Sequence, residues 1–208
     1  MNPTPAPSVA GTESTAGNHL AHRSDPHVPG ESGVWIFILG DMTMFAVVFA
    51  TYLFYRGHET SLFERSQATL VPGYGVVNTL VLVISSLMVV LGMRAMRAQQ
   101  ARAATWMFVS AIGCGIVFSV SKVVEWSAKV GEGFTPATNN FYMLYFVLTG
   151  LHFFHLIVGI GVLAFLARTA RLSTLSQSRF AAAEGGACYW HMVDLLWIVV
   201  FPLLYLVH

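Results

Sequence analysis

Apolar positions in this chain do not alternate with polar ones; they run on in long blocks. Five stretches, at about 33–55, 75–93, 105–128, 141–167 and 187–207, are mostly apolar with few charges. A bilayer core takes about 20 such residues per helix. In lipid the backbone groups must be satisfied within the segment, so each block predicts a membrane-crossing α-helix. Barrel strands would be about ten residues long with strict alternation, a pattern this chain lacks. The predicted fold is therefore all-α: a polytopic membrane protein built as a bundle of five transmembrane helices. Residues 1–32 differ. They hold Pro3, Pro5, Pro7, Pro26 and Pro29 together with His19, His22 and His27. With no apolar h-region they are not a signal peptide, and they read as a flexible tail whose histidines fit no closed metal site.

Composition narrows the function classes. Apolar residues make up 55% of the 208 and charged residues only 10%, against roughly 25% charged in a soluble domain. A net charge of +1 without any basic run excludes a disordered chain and a nucleic-acid binder. The two cysteines, Cys114 and Cys188, read as small packing residues. Basic residues are asymmetric across the predicted topology. Arg23, Arg94, Arg97, Arg102, Arg168, Arg171 and Arg179 fall on one side, and Arg56, Arg65 and Lys129 on the other. The positive-inside rule then expects a cytoplasmic N-terminus and a periplasmic C-terminus.

Polar residues inside the blocks carry the chemistry. Asp41 lies three residues from the middle of the first block, about 4.5 Å in depth at the helical rise. A charge there is costly, so the side chain must be neutral or find a buried partner, and its sequence neighbours offer none. It reads as a packing carboxyl or as an acid that exchanges protons or contacts lipid. Lys122 and Glu125 are three apart and share a helix face, an expected ion pair at the membrane interface. His152 and His155 in the fourth block, and His191 and Asp194 in the fifth with Glu184 upstream, are expected to meet as one polar helix–helix cluster. Glu125 and Glu184 are further candidates for proton or lipid contact. Asn78, Thr79, Ser85 and Ser86 supply interhelical hydrogen bonds, while Gly113, Gly115, Gly159 and Gly161 allow close helix approach. No catalytic residue and no metal site is expected.

These residues resemble a known family. Trp35, Gly40-Asp41 and the Phe-rich run to Tyr52 look like the first helix of the short, five-helix members of the haem–copper oxidase subunit III family. Asn78-Thr79 with Ser85-Ser86 matches the next helix, and Glu125-Trp126 the end of the third. Thr149-Gly150-Leu151-His152-Phe153-Phe154-His155 with Gly159, and Glu184 followed by Tyr189-Trp190-His191-Met192-Val193-Asp194 and Trp197, match the last two. The resemblance covers residues 30–208. It implies a multi-pass subunit of the bacterial inner membrane with no haem or metal of its own. Such a subunit carries bound phospholipid and sits beside the large catalytic subunit of a respiratory complex. It also implies that Asp41 stands where the family carries an acid linked to lipid binding and sustained proton uptake, usually Glu in true oxidases. Lys122 stands at another polar position of the family, and Cys188 replaces the usual aromatic before Tyr-Trp-His. Gly40-Asp41, Lys122-x-x-Glu125 and Phe141-Tyr142-x-x-Tyr145-Phe146 look more like the NorE-type branch, accessory to bacterial nitric oxide reductase, than an ordinary cytochrome c or quinol oxidase subunit III. Two remoter readings stay open: a b-type haem protein using His152, His155 or His191 as axial ligands, and a small transporter coupling through Asp41 and Glu125.

Overall fold

The computed structural model describes residues 32–172 and 176–206. The predicted tail and its histidines lie outside them. Six helices follow in order: α1 (Ser32–His58), α2 (Thr60–Gln67), α3 (Pro72–Arg97), α4 (Ala101–Gly131), α5 (Asn140–Thr169) and α6 (Gln177–Tyr205). All but α2 are long and apolar enough to cross a membrane. Each spanning helix runs past most of its predicted bounds. The largest difference is α6, which starts ten residues before the expected 187 and so carries Glu184 on its first turns.

Pro72 opens α3, where its missing N–H costs nothing. Asn139 caps α5 by accepting from the Tyr142 backbone N–H at 2.9 Å. A three-residue turn joins α3 to α4. Gln99 takes a left-handed φ of 57° there, and Gln100 N–H closes back on the Ala95 carbonyl at 2.9 Å.

The buried stripe of α4 is Ala104, Phe108, Ala111, Gly115, Phe118, Lys122, Glu125 and Lys129. Its spacing alternates four and three. On α3 the stripe Gly75, Asn78, Leu82, Ser85, Val89, Gly92 and Met96 repeats the rhythm. This is the seam of near-antiparallel helices packed knobs into holes. Helices α5 and α6 bury broader faces, since each has neighbours on more than one side. Helix α1 is the outrigger. Its buried residues, Ile38, Phe45 and Tyr52, are spaced by seven and form one narrow line against α5 and α6.

Helix α2 was not foreseen: it is eight residues long and its block is polar. It closes one end of the bundle. Phe63 is fully buried between Tyr52 and Phe141, with ring centroids at 5.3 and 5.5 Å. Gln67 Nε2 donates to the Leu204 carbonyl at 3.0 Å, and Tyr52 OH donates to the Leu203 carbonyl at 3.1 Å. These contacts satisfy last-turn carbonyls of α6 that have no partner within the helix. Lys129, expected in a loop, belongs to α4 and joins this lid, donating to the Thr69 carbonyl at 2.8 Å and to Glu132 at 2.7 Å.

Candidate functional site

Lys122 and Glu125 pair at 3.0 Å, inside the bundle rather than on its surface. Lys122 is wholly buried and Glu125 nearly so. Glu125 Oε1 accepts from Tyr145 OH at 2.6 Å and from Tyr205 OH, while Oε2 accepts from Lys122 Nζ. Lys122 Nζ also donates to Tyr205 OH at 2.8 Å and more weakly to Tyr145 OH at 3.4 Å. It lies over the rings of Tyr145, Trp197 and Tyr205, 5.1–5.4 Å from their centroids. All three ammonium protons have an acceptor. The expected snorkelling pair is instead a closed, net-neutral box joining α4, α5 and α6. Aromatic rings around it help to offset its burial. Neither tyrosine was singled out from sequence for this role.

Asp41 has the buried partner that its sequence neighbours lacked. His155 Nε2 lies 3.2 Å from Asp41 Oδ2, and both side chains are largely buried. The N–H direction is off that line, so Oδ2 has no aligned hydrogen bond. The other ring nitrogen settles the tautomer. His155 Nδ1 is 2.8 Å from the Leu151 carbonyl, and a carbonyl only accepts, so Nδ1 carries a proton. Nε2 is then the ring nitrogen that faces Asp41, and the pair joins α5 to α1.

The predicted five-residue polar cluster does not assemble. His155 turns to α1, and Glu184 pairs with Arg97 on α3 at 2.7 Å. His191 Nδ1 meets Ser86 Oγ on α3 at 2.7 Å. His152 is fully buried between Phe118 and Trp197, and neither ring nitrogen has a hydrogen-bond partner. Residues three apart share a face only approximately, and the faces of α5 and α6 meet different helices at different depths. What joins α5 to α6 instead is Tyr189 OH donating to the His155 carbonyl at 3.3 Å, and the Trp190 indole lying on Gly159. Of the four glycines expected at close approaches, Gly115 and Gly159 are there; Gly113 and Gly161 face open space. Ser85 donates to the Ala111 carbonyl, and Thr79 accepts from Trp197 Nε1. Asn78 is buried without a hydrogen-bond partner. Both cysteines are free and half-buried. Among the described residues no three His, Cys, Asp or Glu side chains converge as a metal site.

Residues 13–208 match the family model described as Cytochrome c oxidase subunit III. The chain belongs to the cytochrome c oxidase subunit III family. It is 32% identical to a cytochrome c oxidase subunit 3 of Thermostichus vulcanus, over 84% of this chain and 85% of that one. A cytochrome bo(3) ubiquinol oxidase subunit 3 of Pseudomonas aeruginosa is 29% identical, over 84% and 83%. A heme-copper oxidase subunit I+III of Aeropyrum pernix is 26% identical over 91% of this chain, which spans 24% of that longer protein. Subunit III proteins associate with the catalytic subunit I of haem–copper oxidases, and this chain is an accessory, multi-pass membrane member of that family.

Proposed function

We propose that this chain is subunit III of a haem–copper terminal oxidase fed by cytochrome c or quinol, and that it supports the catalytic subunit without performing redox chemistry itself. The observation that carries the reading is the match, over more than four-fifths of both chains, to bacterial oxidase subunits 3. The geometry agrees with it: the Lys122–Glu125 box, the Asp41–His155 pair and the Arg97–Glu184 bridge all tie helices together. The NorE-type reading rests on Gly40-Asp41, Lys122-x-x-Glu125 and Phe141-Tyr142-x-x-Tyr145-Phe146. It is kept second because Lys122, Glu125 and Tyr145 converge in one buried box. Affinity purification in mild detergent, with mass spectrometry of the co-purifying haem protein, tests both. An oxidase subunit I supports the first reading, and a nitric oxide reductase large subunit replaces it with the second. Native mass spectrometry of the same sample reads retained phospholipid, for which the groove lined by Arg102, Trp106 and Arg171 offers two cations beside apolar walls.

The arginine-rich end is assigned to the cytoplasm of an inner membrane by the positive-inside rule. Lys129, an opposing cation, is tied down by the fold through Thr69 and Glu132. Reporter fusions at residue 1 and residue 208 should give cytoplasmic and periplasmic signals respectively. A cytoplasmic signal at His208 would reverse the assignment.

Asp41 is proposed to contact lipid or to exchange a proton through water that reaches α1. Asp41→Asn keeps a neutral hydrogen-bonding group beside His155 and should assemble normally. Asp41→Leu removes the polar partner that faces His155 Nε2 and should weaken the seating of α1, by no more than the ~0.6–2 kcal/mol of a well-aligned membrane hydrogen bond. Thermal unfolding in detergent measures this. Asn variants that lose activity faster during sustained turnover would point to proton exchange; Asn and Leu variants both equal to wild type would leave Asp41 without a role.

A further inference from the structure

The Lys122–Glu125 box stands close to where its helices end. Glu125 is six residues before Gly131, about 9 Å at the helical rise, and Tyr205 is the last residue of α6. A lysine so placed ordinarily carries its ammonium out to water on its long stem. Lys122 is instead wholly buried, and Glu125 is 4% exposed.

What lies over the box is α2 with the turn that follows it, and it is tied to each of the three helices about one turn above the charges. On α4, Lys129 stands four residues after Glu125 and donates to the Thr69 carbonyl at 2.8 Å. On α5, Tyr142 stands three residues before Tyr145, and its hydroxyl is 2.7 Å from Thr69 Oγ1. On α6, the Leu204 carbonyl next to Tyr205 accepts from Gln67 Nε2 at 3.0 Å. An apolar column runs beside these ties. Phe63 meets Phe141 at 5.5 Å between centroids, and Phe141 stacks on Tyr145 at 6.4 Å. All three rings are unexposed. The polar groups that water would follow inward are thus engaged by α2 and its turn, and Phe63 fills the space beside them.

From this placement we infer that α2 is a lid that seals the Lys122–Glu125 box against the water at that end of the bundle, with Phe63 as its plug and Gln67 as its latch. The buried face of α2, Phe63, Ser66 and Gln67, is the part that does this. Closure is opposed as well as held. Gln67 Oε1 is buried with no hydrogen bond among the described residues, and it gains one when water arrives. Opening at Phe63 would lead water along Phe141 to Tyr145 and Glu125. The dryness that makes the pair depend on its own partners therefore comes from an eight-residue helix outside the box. The inference concerns this chain alone and holds for either complex proposed above.

Hydroxyl-radical footprinting of the assembled complex in its native membrane tests it. A brief X-ray pulse makes radicals from water, these oxidise the tyrosine rings that water touches, and mass spectrometry locates the added oxygen. Tyr74, 40% exposed near the start of α3 at the same end, is the internal reference. In the wild type, Tyr145 and Tyr205 should oxidise far less than Tyr74. Phe63→Ala should raise both severalfold, toward the level of Tyr74, and Gln67→Ala should raise them less. Leu163→Ala, which opens space in the core toward the other end of α5, should leave both at the wild-type level. Wild-type Tyr145 and Tyr205 as reactive as Tyr74 would overturn the inference, since the box would already be wet. So would unchanged oxidation in both lid variants, or a rise in Leu163→Ala equal to that in Phe63→Ala, which would mean general loosening. If Phe63→Ala does not accumulate in the membrane, Gln67→Ala decides alone: a rise at Tyr145 and Tyr205 supports the lid, and no rise overturns it.

Discussion

Glu125→Leu should cost the subunit about 3–5 kcal/mol of stability, the usual result of breaking a buried ion pair from one side. The change strands a wholly buried ammonium and removes the acceptor of two buried tyrosine hydroxyls. Three helices meet at that point, so the loss falls on α4, α5 and α6 together. The double variant Lys122→Met/Glu125→Gln should regain most of it. Met fills the space of the lysine stem, and the Gln carbonyl still accepts from Tyr145 and Tyr205. Removing both charges also removes their desolvation cost. Thermal unfolding in mild detergent, run as a double-mutant cycle, measures the coupling. A Glu125→Leu midpoint equal to wild type would mean that the charges are hydrated rather than boxed.

Two glycines two residues apart on α5 should respond to alanine in opposite directions. A Cβ at Gly159 would stand 2.8 and 2.9 Å from Trp190 Cε3 and Cζ3, and Trp190 is wholly buried. The indole cannot retreat, since its far edge already lies on Gly115 of α4. Gly159→Ala must therefore push α6 away from α5, at about 1–3 kcal/mol by the cost of overpacking. At Gly161 a Cβ meets nothing within 4 Å. Gly161→Ala should be neutral or stabilising by about 0.5–1 kcal/mol, from reduced backbone entropy in the unfolded chain. Trp190→Phe combined with Gly159→Ala should destabilise less than the two single changes summed. Detergent melting of the four variants reads all of this, and equal midpoints for the two alanine variants would show that α5 and α6 do not pack through Gly159.

Membrane crossing was legible because the bilayer demands length and apolarity, and both are local properties of the chain. The number of spanning helices and the family motifs follow from sequence alone. Which face of each helix turns inward was harder, for a physical reason. In water an amphipathic stripe marks the core, whereas in lipid the outward face is apolar too. On α3 and α4 the inward mark is instead the four-three rhythm of small and polar residues, from Gly75, Asn78 and Ser85 to Gly115, Lys122 and Glu125. Helix α2 escaped detection because its value lies in partners far along the chain, the α6 carbonyls that Gln67 reaches.

The amino-acid sequence by itself determined a five-span subunit III bundle, the pairing of Lys122 with Glu125, and the need of Asp41 for a partner. Tertiary structure alone decided who the partners are. Spacing of three says that two side chains share a face of one helix; it is silent on which neighbour that face meets. So His155 is given to Asp41, His191 to Ser86 and Glu184 to Arg97, although sequence places them in one group. The same rule encloses Lys122 and Glu125, because Tyr145, Trp197 and Tyr205 arrive from two other helices to surround them. Desolvating a charge is tolerable only where several distant residues converge on it, and convergence is a property of the folded bundle, not of any segment.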